Sequence, residues 1–257
     1  MTRPLALVTG ASIGIGEQFA RELAARGHDV VLVARDRARL DALAKELGEQ
    51  YAGGTFEVHV ADLTDAAQLA TVEERATAVD VLVNNAGFGT SGNFYELDLD
   101  GEENEIRCNV IALTRLSHAA AHAMVPRGRG GILNVASIAG YQPTPRMATY
   151  RATKAYVRFF TESLHEELKG TGVSVTVLAP GFTRTEFQQR AGVEENAVPS
   201  MFWQNADEVA RAGLDGLAKN RAVVVPGGLN RIASAFIGIT PHAVTRRVAK
   251  QAMQRGT

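Results

Sequence analysis

The sequence predicts an α/β fold, a single doubly wound domain with an about seven-stranded parallel sheet and helices on both faces. Three observations predict it. Short apolar runs alternate with longer helical patterns along most of the 257 residues. The runs are apolar throughout, as strands covered on both faces should be. No Pro/Ser-rich linker or low-complexity stretch divides the chain, so one domain over 1–257 is expected. Right-handed crossovers between such strands give a Rossmann-like sheet that places its ligand site at the carboxyl ends of the strands.

Residues 5–9, Leu-Ala-Leu-Val-Thr, form the first strand and lead into a glycine loop. A helix follows over 14–25, with Phe19, Leu23 and Ala24 on one face. The valine-rich run 30–33 is the second strand and 37–50 the second helix. The third strand is 56–60, with its helix over 65–78. Then come a strand at 81–83, a long helical pattern over 102–125 and a strand at 131–136. A helix over 148–169, a strand at 173–178, a helix over 207–218 and a short last strand at 222–225 complete the rhythm.

Two stretches break it. Residues 190–205 lack a clear period and contain Met201, Phe202 and the only tryptophan, Trp203. They follow the sixth strand on the ligand edge, so 186–206 is expected to be a substrate-loop segment. The second is a C-terminal extension over 227–257. Its 232–239 portion is apolar, and 244–253 carries Arg246, Arg247 and Lys250. Docking on the body or an oligomer contact is expected there in preference to a membrane-surface helix.

Composition excludes several classes. Lys and Arg number 27 against 28 Asp and Glu, so no basic excess drives nucleic-acid binding. Hydrophobic residues at 46% and charged residues at 21% exclude a wholly disordered chain. One cysteine allows no internal disulfide and suits a reducing, cytoplasmic setting. No run approaches the roughly 20 apolar residues of a membrane span, so membrane association is not expected.

The loop Thr9-Gly-Ala-Ser-Ile-Gly-Ile-Gly16 joins the first strand to the first helix. Its glycines allow a tight turn and a close backbone approach, and the helix start behind it offers free N–H groups to a pyrophosphate. A plain tight turn is the alternative. The second strand ends Ala34-Arg35-Asp36. Arg35, with Arg39 one helical turn on, suits the 2′-phosphate of NADP. Asp36 has two readings, a ribose contact favouring NAD or the N-cap of the second helix. NADP(H) is therefore the expected cofactor, with NAD(H) the alternative.

These residues, with Asn84-Asn-Ala-Gly87, Ser137 and Tyr150-Arg-Ala-Thr-Lys154, together resemble the short-chain dehydrogenase/reductases, in the subfamily of about 250 residues. The ordered set, with a Ser 13 positions before Tyr-x-x-x-Lys, is its specific part. The resemblance covers residues 5 to about 185. It implies that Gly10, Ser12, Ile13, Gly14, Ile15 and Gly16 cradle the cofactor and that Asp62, with Leu63, contacts the adenine; capping the next helix is the other reading of Asp62. It implies that Asn85, Ala86 and Gly87 line the cofactor, with Asn84 steadying the central sheet. Pro180, Gly181, Thr183 and Thr185 would serve the nicotinamide end. Many NADP users of the family also carry a basic residue where this chain has Ile13.

The implied chemistry is hydride transfer between a nicotinamide and a carbonyl or secondary alcohol. Tyr150 and Lys154 are four apart on one helix face. A tyrosine with a pKa of roughly 10 is a poor acid–base group at neutral pH, and an adjacent ammonium should lower it. A shift of roughly three units needs about 4 kcal/mol. Ser137, after the fifth strand, can hold the substrate oxygen or satisfy its own turn. Asn109, mid-helix, is assigned by the resemblance to a water-linked proton relay; a buried Asn satisfied by backbone is the alternative. Ser137, Tyr141, Met147, Phe182, Phe187, Phe202 and Trp203, with Leu97 and Phe88, suggest an apolar substrate site and a bulky apolar ketone of steroid or 3-oxoacyl type. A non-catalytic NADPH-binding regulator is the rival. A homodimer or homotetramer through the two long helices is the family expectation. His118 and His122, four apart, read as a helix face, and no metal site is expected.

Overall fold

The structure, a computed structural model, describes residues 3–186 and 199–231. Phe187, most of the expected substrate loop and the extension from residue 232 lie outside the described residues. The first half runs β1 (Leu5–Thr9), α1 (Gly14–Ala25), β2 (Asp29–Ala34), α2 (Arg37–Gln50), β3 (Phe56–Val60), α3 (Ala66–Ala76) and β4 (Val81–Asn84). Next come α4 (Leu99–Ile106), a π-helical turn (Arg107–Ala112), α5 (Leu113–Arg127) and β5 (Gly130–Val135). The last elements are α6 (Ala148–Glu167), β6 (Val173–Leu178), α7 (Ala206–Ala218) and β7 (Val223–Val224).

The seven strands pair in the order β3-β2-β1-β4-β5-β6-β7, all in parallel. Chain order reverses between β1 and β4, and a crevice opens there at the carboxyl ends of the strands. Alternate strand residues feed two cores. Ala6, Val8 and Leu32 pack with Phe19, Leu23, Leu40 and Leu214 under α1, α2 and α7. Leu7, Val31, Leu82 and Ile132 pack with Leu69, Val72, Leu116 and Met124 under α3 and α5. Each such side chain, taken fully out of water, contributes about 1.5–3 kcal/mol.

The long helical pattern expected over 102–125 differs most from what forms. It starts three residues earlier, at Leu99, because the Asp98 carboxylate accepts the Gly101 N–H at 3.0 Å. It is also interrupted by the π-helical turn around Asn109. The expected helix over 65–78 begins at Ala66, since Asp65 is its cap and accepts from Gln68 N at 2.8 Å.

Candidate active site

One cleft of about 610 Å³ runs along the carboxyl edge of the sheet. Its first wall is the β1–α1 loop. Gly14 has φ +61°, a left-handed conformation that glycine adopts without strain. Gly16 lies behind the loop, where an added methyl would stand 2.1 Å from the Gly10 carbonyl oxygen. Thr9 and Asn85 hold the loop shut. The Thr9 hydroxyl accepts from Asn85 N and Ala86 N, both at 3.0 Å, and the Asn85 amide donates to Thr9 O at 3.0 Å. Sequence reasoning quoted Thr9 in the loop but gave it no role.

Side-chain capping separates α1 from α2, α3 and α4, though not from α6 and α7, whose starts also lack a side-chain cap. Asp36, Asp65 and Asp98 each accept a backbone N–H at the starts of α2, α3 and α4. At α1 the cap position is Ile13, with no side-chain cap, so the first N–H groups face the cleft. An anion is the natural partner for such an end. Asp36 is thus a helix cap, accepting from Arg39 N at 3.1 Å.

At the outer end of the cleft stand Arg35, Arg39, Asp62 and Leu63. The Arg35 side chain is 70% exposed and 3.8 Å from Asp62. Arg39 pairs with Glu186 at 2.8 Å and Asp36 at 3.5 Å. Burial works against the Asp62 charge, but hydrogen bonds from the Thr64 N–H and hydroxyl, with Arg35 nearby, outweigh it and hold this carboxyl below its ordinary range. Asp62 shapes its own turn and does not cap the next helix, which Asp65 does.

At the inner end Ser137, Tyr150 and Lys154 meet, with Pro180, Gly181, Thr183 and Thr185 opposite. Tyr150 is 6% exposed and Lys154 5%. The Lys154 ammonium donates to Val135 O at 2.9 Å and lies 5.8 Å from the centre of the Tyr150 ring. Burial pushes the Tyr150 phenol up to about 12, against the pull of the Ser137 hydroxyl. Burial likewise brings Lys154 down to about 8, against Cys108 and Glu105. This corrects the expectation of a lowered tyrosine. In the protein alone desolvation of the phenolate outweighs the Ser137 hydrogen bond and the Arg151 charge, so Tyr150 keeps its proton. Ser137 fits both of its readings, since it also accepts from Ala139 N at 3.1 Å.

Asn109 is buried, and its amide bonds Phe88 N at 3.1 Å, Phe88 O at 2.8 Å and Thr153 Oγ1 at 3.1 Å. Its side chain therefore clamps the segment after Gly87 to α6, which fits the backbone-satisfied alternative. Its neighbour Cys108 lines the cleft, and burial raises its thiol to about 11. Beneath the site, Asn84 and Asn134 bond at 2.9 Å and Asn134 reaches Thr161 at 3.0 Å, tying β4, β5 and α6 together.

Of the expected cofactor residues all but Gly16 line the cleft. The expected substrate set divides: Ser137 lines the cleft, and its other described members do not. Tyr141 lines a second cavity, with the Arg158 guanidinium 3.8 Å above its ring. Phe182 packs on Trp203 at 5.7 Å, and Met147 precedes α6 without lining the cleft. Phe202 sits in a turn over Ser200–Phe202, and the segment behind it is tied to the loop after β6 by Gln204 N to Phe182 O at 2.9 Å. Phe88, by contrast, lines the cleft. His118 and His122 stack their rings at 6.1 Å, and no metal-binding cluster exists among the described residues.

Comparison with known proteins gives a consistent picture. The model of the short chain dehydrogenase family matches residues 4–196. A short-chain dehydrogenase from Sphingobium yanoikuyae, solved in complex with NADPH, is 39% identical, with a TM-score of 0.83 over 93% of this chain and 96% of that one. A bulky-bulky ketone specific alcohol dehydrogenase from Comamonas testosteroni is 34% identical, with a TM-score of 0.79 over 95% and 97%. A very-long-chain 3-oxoacyl-CoA reductase of Bos taurus is 35% identical over 187 residues. That match takes in 70% of this chain but only 60% of the relative.

Proposed function

The chain belongs to the short chain dehydrogenase family, and from that premise we propose that it is an NADP(H)-dependent reductase of a bulky apolar ketone. The observation that carries the reading is the continuous cleft. It joins exposed Arg35 and Arg39 at one end to Ser137 and the buried Tyr150 and Lys154 at the other. The glycine-lined wall and the uncapped start of α1 fit a pyrophosphate, and the two arginines fit a 2′-phosphate. The names of the relatives, an NADPH-bound dehydrogenase, a bulky-ketone alcohol dehydrogenase and a 3-oxoacyl-CoA reductase, support the same cofactor and substrate classes.

When bound, the nicotinamide supplies the hydride. The chain's own residues handle the oxygen. Ser137 donates to the carbonyl oxygen and holds it beside Tyr150. Tyr150, protonated because burial keeps its phenol up at about 12, delivers its proton to the forming alkoxide. Lys154 is fixed by Val135 O and holds the ribose end, while its charge stabilises the resulting phenolate. Asn109 keeps Phe88 against α6 and so fixes the cleft wall.

One catalytic domain is proposed, with 186–206 acting on the substrate side and 227–257 as an extension. A homodimer or homotetramer through the α4–α5 stretch and α6 is supported by exposed Ile111 in the π-helical turn, at 48%, and Phe159 in α6, at 63%. Among the described residues no helix is long and apolar enough to cross a membrane, and a cytoplasmic location is proposed. The test is oxidation of NADPH beside NADH over a panel of ketones, steroids and 3-oxoacyl thioesters. NADPH-preferring turnover is expected. Tight NADPH binding without turnover of any of them would favour the regulator.

A further inference from the structure

Two buried carboxyls stand behind the catalytic helix, and the mechanism above uses neither. Glu102 is 4% exposed and Glu105 wholly buried. They lie three residues apart on one face of α4. The Thr90 hydroxyl touches both, contacting Glu102 Oε1 and lying 2.9 Å from Glu105 Oε2. Thr90 N donates to Glu105 Oε2 at 2.9 Å, and the Thr149 hydroxyl donates to Glu102 Oε2. Glu105 Oε1 has no hydrogen-bond partner among the described residues.

Proton counting decides the charge state. A threonine hydroxyl carries one hydrogen, and an ionised carboxylate carries none. Thr90 Oγ1 can donate to only one of the two carboxyl oxygens it touches. The other contact is a hydrogen bond only if a carboxyl donates it. Two charged carboxylates meeting at one hydroxyl would also repel, with the low local dielectric enlarging the cost. The charged or titratable groups facing the pair are Lys154 and Tyr150 on α6 and Cys108 on the π-helical turn. Burial, with the Glu102 charge adding to it, holds the Glu105 carboxyl above its ordinary range despite the Thr90 bonds.

We infer that Glu102 and Glu105 share one proton and that this singly protonated pair positions Tyr150 through Thr90 and Thr149. Thr149 directly precedes Tyr150. Thr90 directly follows Gly89, where an added methyl would stand 2.6 Å from Cδ2 of the Tyr150 ring. The pair thus anchors both segments that confine that ring. Losing the shared proton would separate the carboxyls and place a second negative charge near Tyr150. The catalytic consequence rests on the proposed role of Tyr150; the shared proton does not.

The test uses the full chain and two readouts. Infrared absorption is recorded at neutral pH for wild type, Glu102→Gln and Glu105→Gln. A protonated-carboxyl carbonyl band is expected in wild type and absent in Glu105→Gln. Thermal stability is read against pH. A carboxyl with a raised folded pKa gives stability that is complete below its unfolded value and lost as pH rises through the folded value. Wild type should lose that stability and Glu105→Gln should not. In turnover, Glu105→Ala is expected to lower kcat by about tenfold or more through misplacement of Tyr150. Glu105→Gln keeps a donor for Thr90 and should restore most of it. No wild-type band, a band that persists in both Gln variants, or a Gln variant as impaired as Ala overturns the inference. The band and the pH slope are read without turnover, so failure of the reductase reading leaves them standing.

Discussion

At the β1 end of the cleft, backbone does the holding. The N–H groups of an uncapped helix and a left-handed glycine make the cradle, and the charged side chains there are largely in water, Arg35 at 70% exposure. At the α6 end the reverse holds. Tyr150 and Lys154 are nearly sealed; the Val135 carbonyl of β5 holds Lys154, and the buried side chains of Asn109 and Glu105 hold the 88–90 segment beside them. Exposed charges select a ligand with modest, salt-screened energies. Sealed charges are shifted strongly by desolvation, and so can do proton chemistry.

Substitutions at the two ends should therefore fail differently. The largest effect is expected at the sealed end. Tyr150→Phe removes the proton donor and should lower kcat by about 10²–10⁴-fold while leaving NADPH affinity intact, measured by fluorescence titration. Retained turnover would end the contrast. Next is Arg35→Ala at the exposed end. It should cut the NADPH-over-NADH preference in kcat/KM by about tenfold or more, the value of a charge-assisted bond of about 1.5–3 kcal/mol, with kcat nearly unchanged. That loss should shrink in high salt.

Gly16→Ala tests the cradle. Its methyl would collide with the Gly10 carbonyl, so a stability loss of about 1–3 kcal/mol is expected in denaturant unfolding. The smallest effect is in pH. Lys154 stands at about 8 in the protein alone. On the proposed role the ammonium donates to the ribose below that value, and above it the charge is gone. NADPH affinity should fall a fewfold as pH rises through about 8, and Lys154→Met should flatten the curve. A matching step surviving in Lys154→Met would assign it to another group.

Legibility in the sequence follows the same division. The glycine loop, the arginines after β2 and the Tyr150–Lys154 pair are spaced by one loop or one helical turn, so local geometry exposes them. The apolar substrate set was chosen by composition, and packing divides it: Tyr141 went to Arg158, while Phe182 and Trp203 pack on each other. Asp36 and Asp65 were settled as caps only when the helix starts were fixed.

Periodicity in the amino-acid sequence determined by itself the alternation of strands and helices, the parallel sheet and the ligand edge, because side-chain period reports backbone conformation directly. Tertiary structure alone decided the proton states. The phenol of Tyr150 rises and the ammonium of Lys154 falls because each is taken out of water by residues far away in the chain. The Glu102–Glu105 pair meets at Thr90 only after α4 has folded back onto the segment that follows β4. Desolvation depends on everything within a few ångströms, and neighbours in space are not neighbours in sequence.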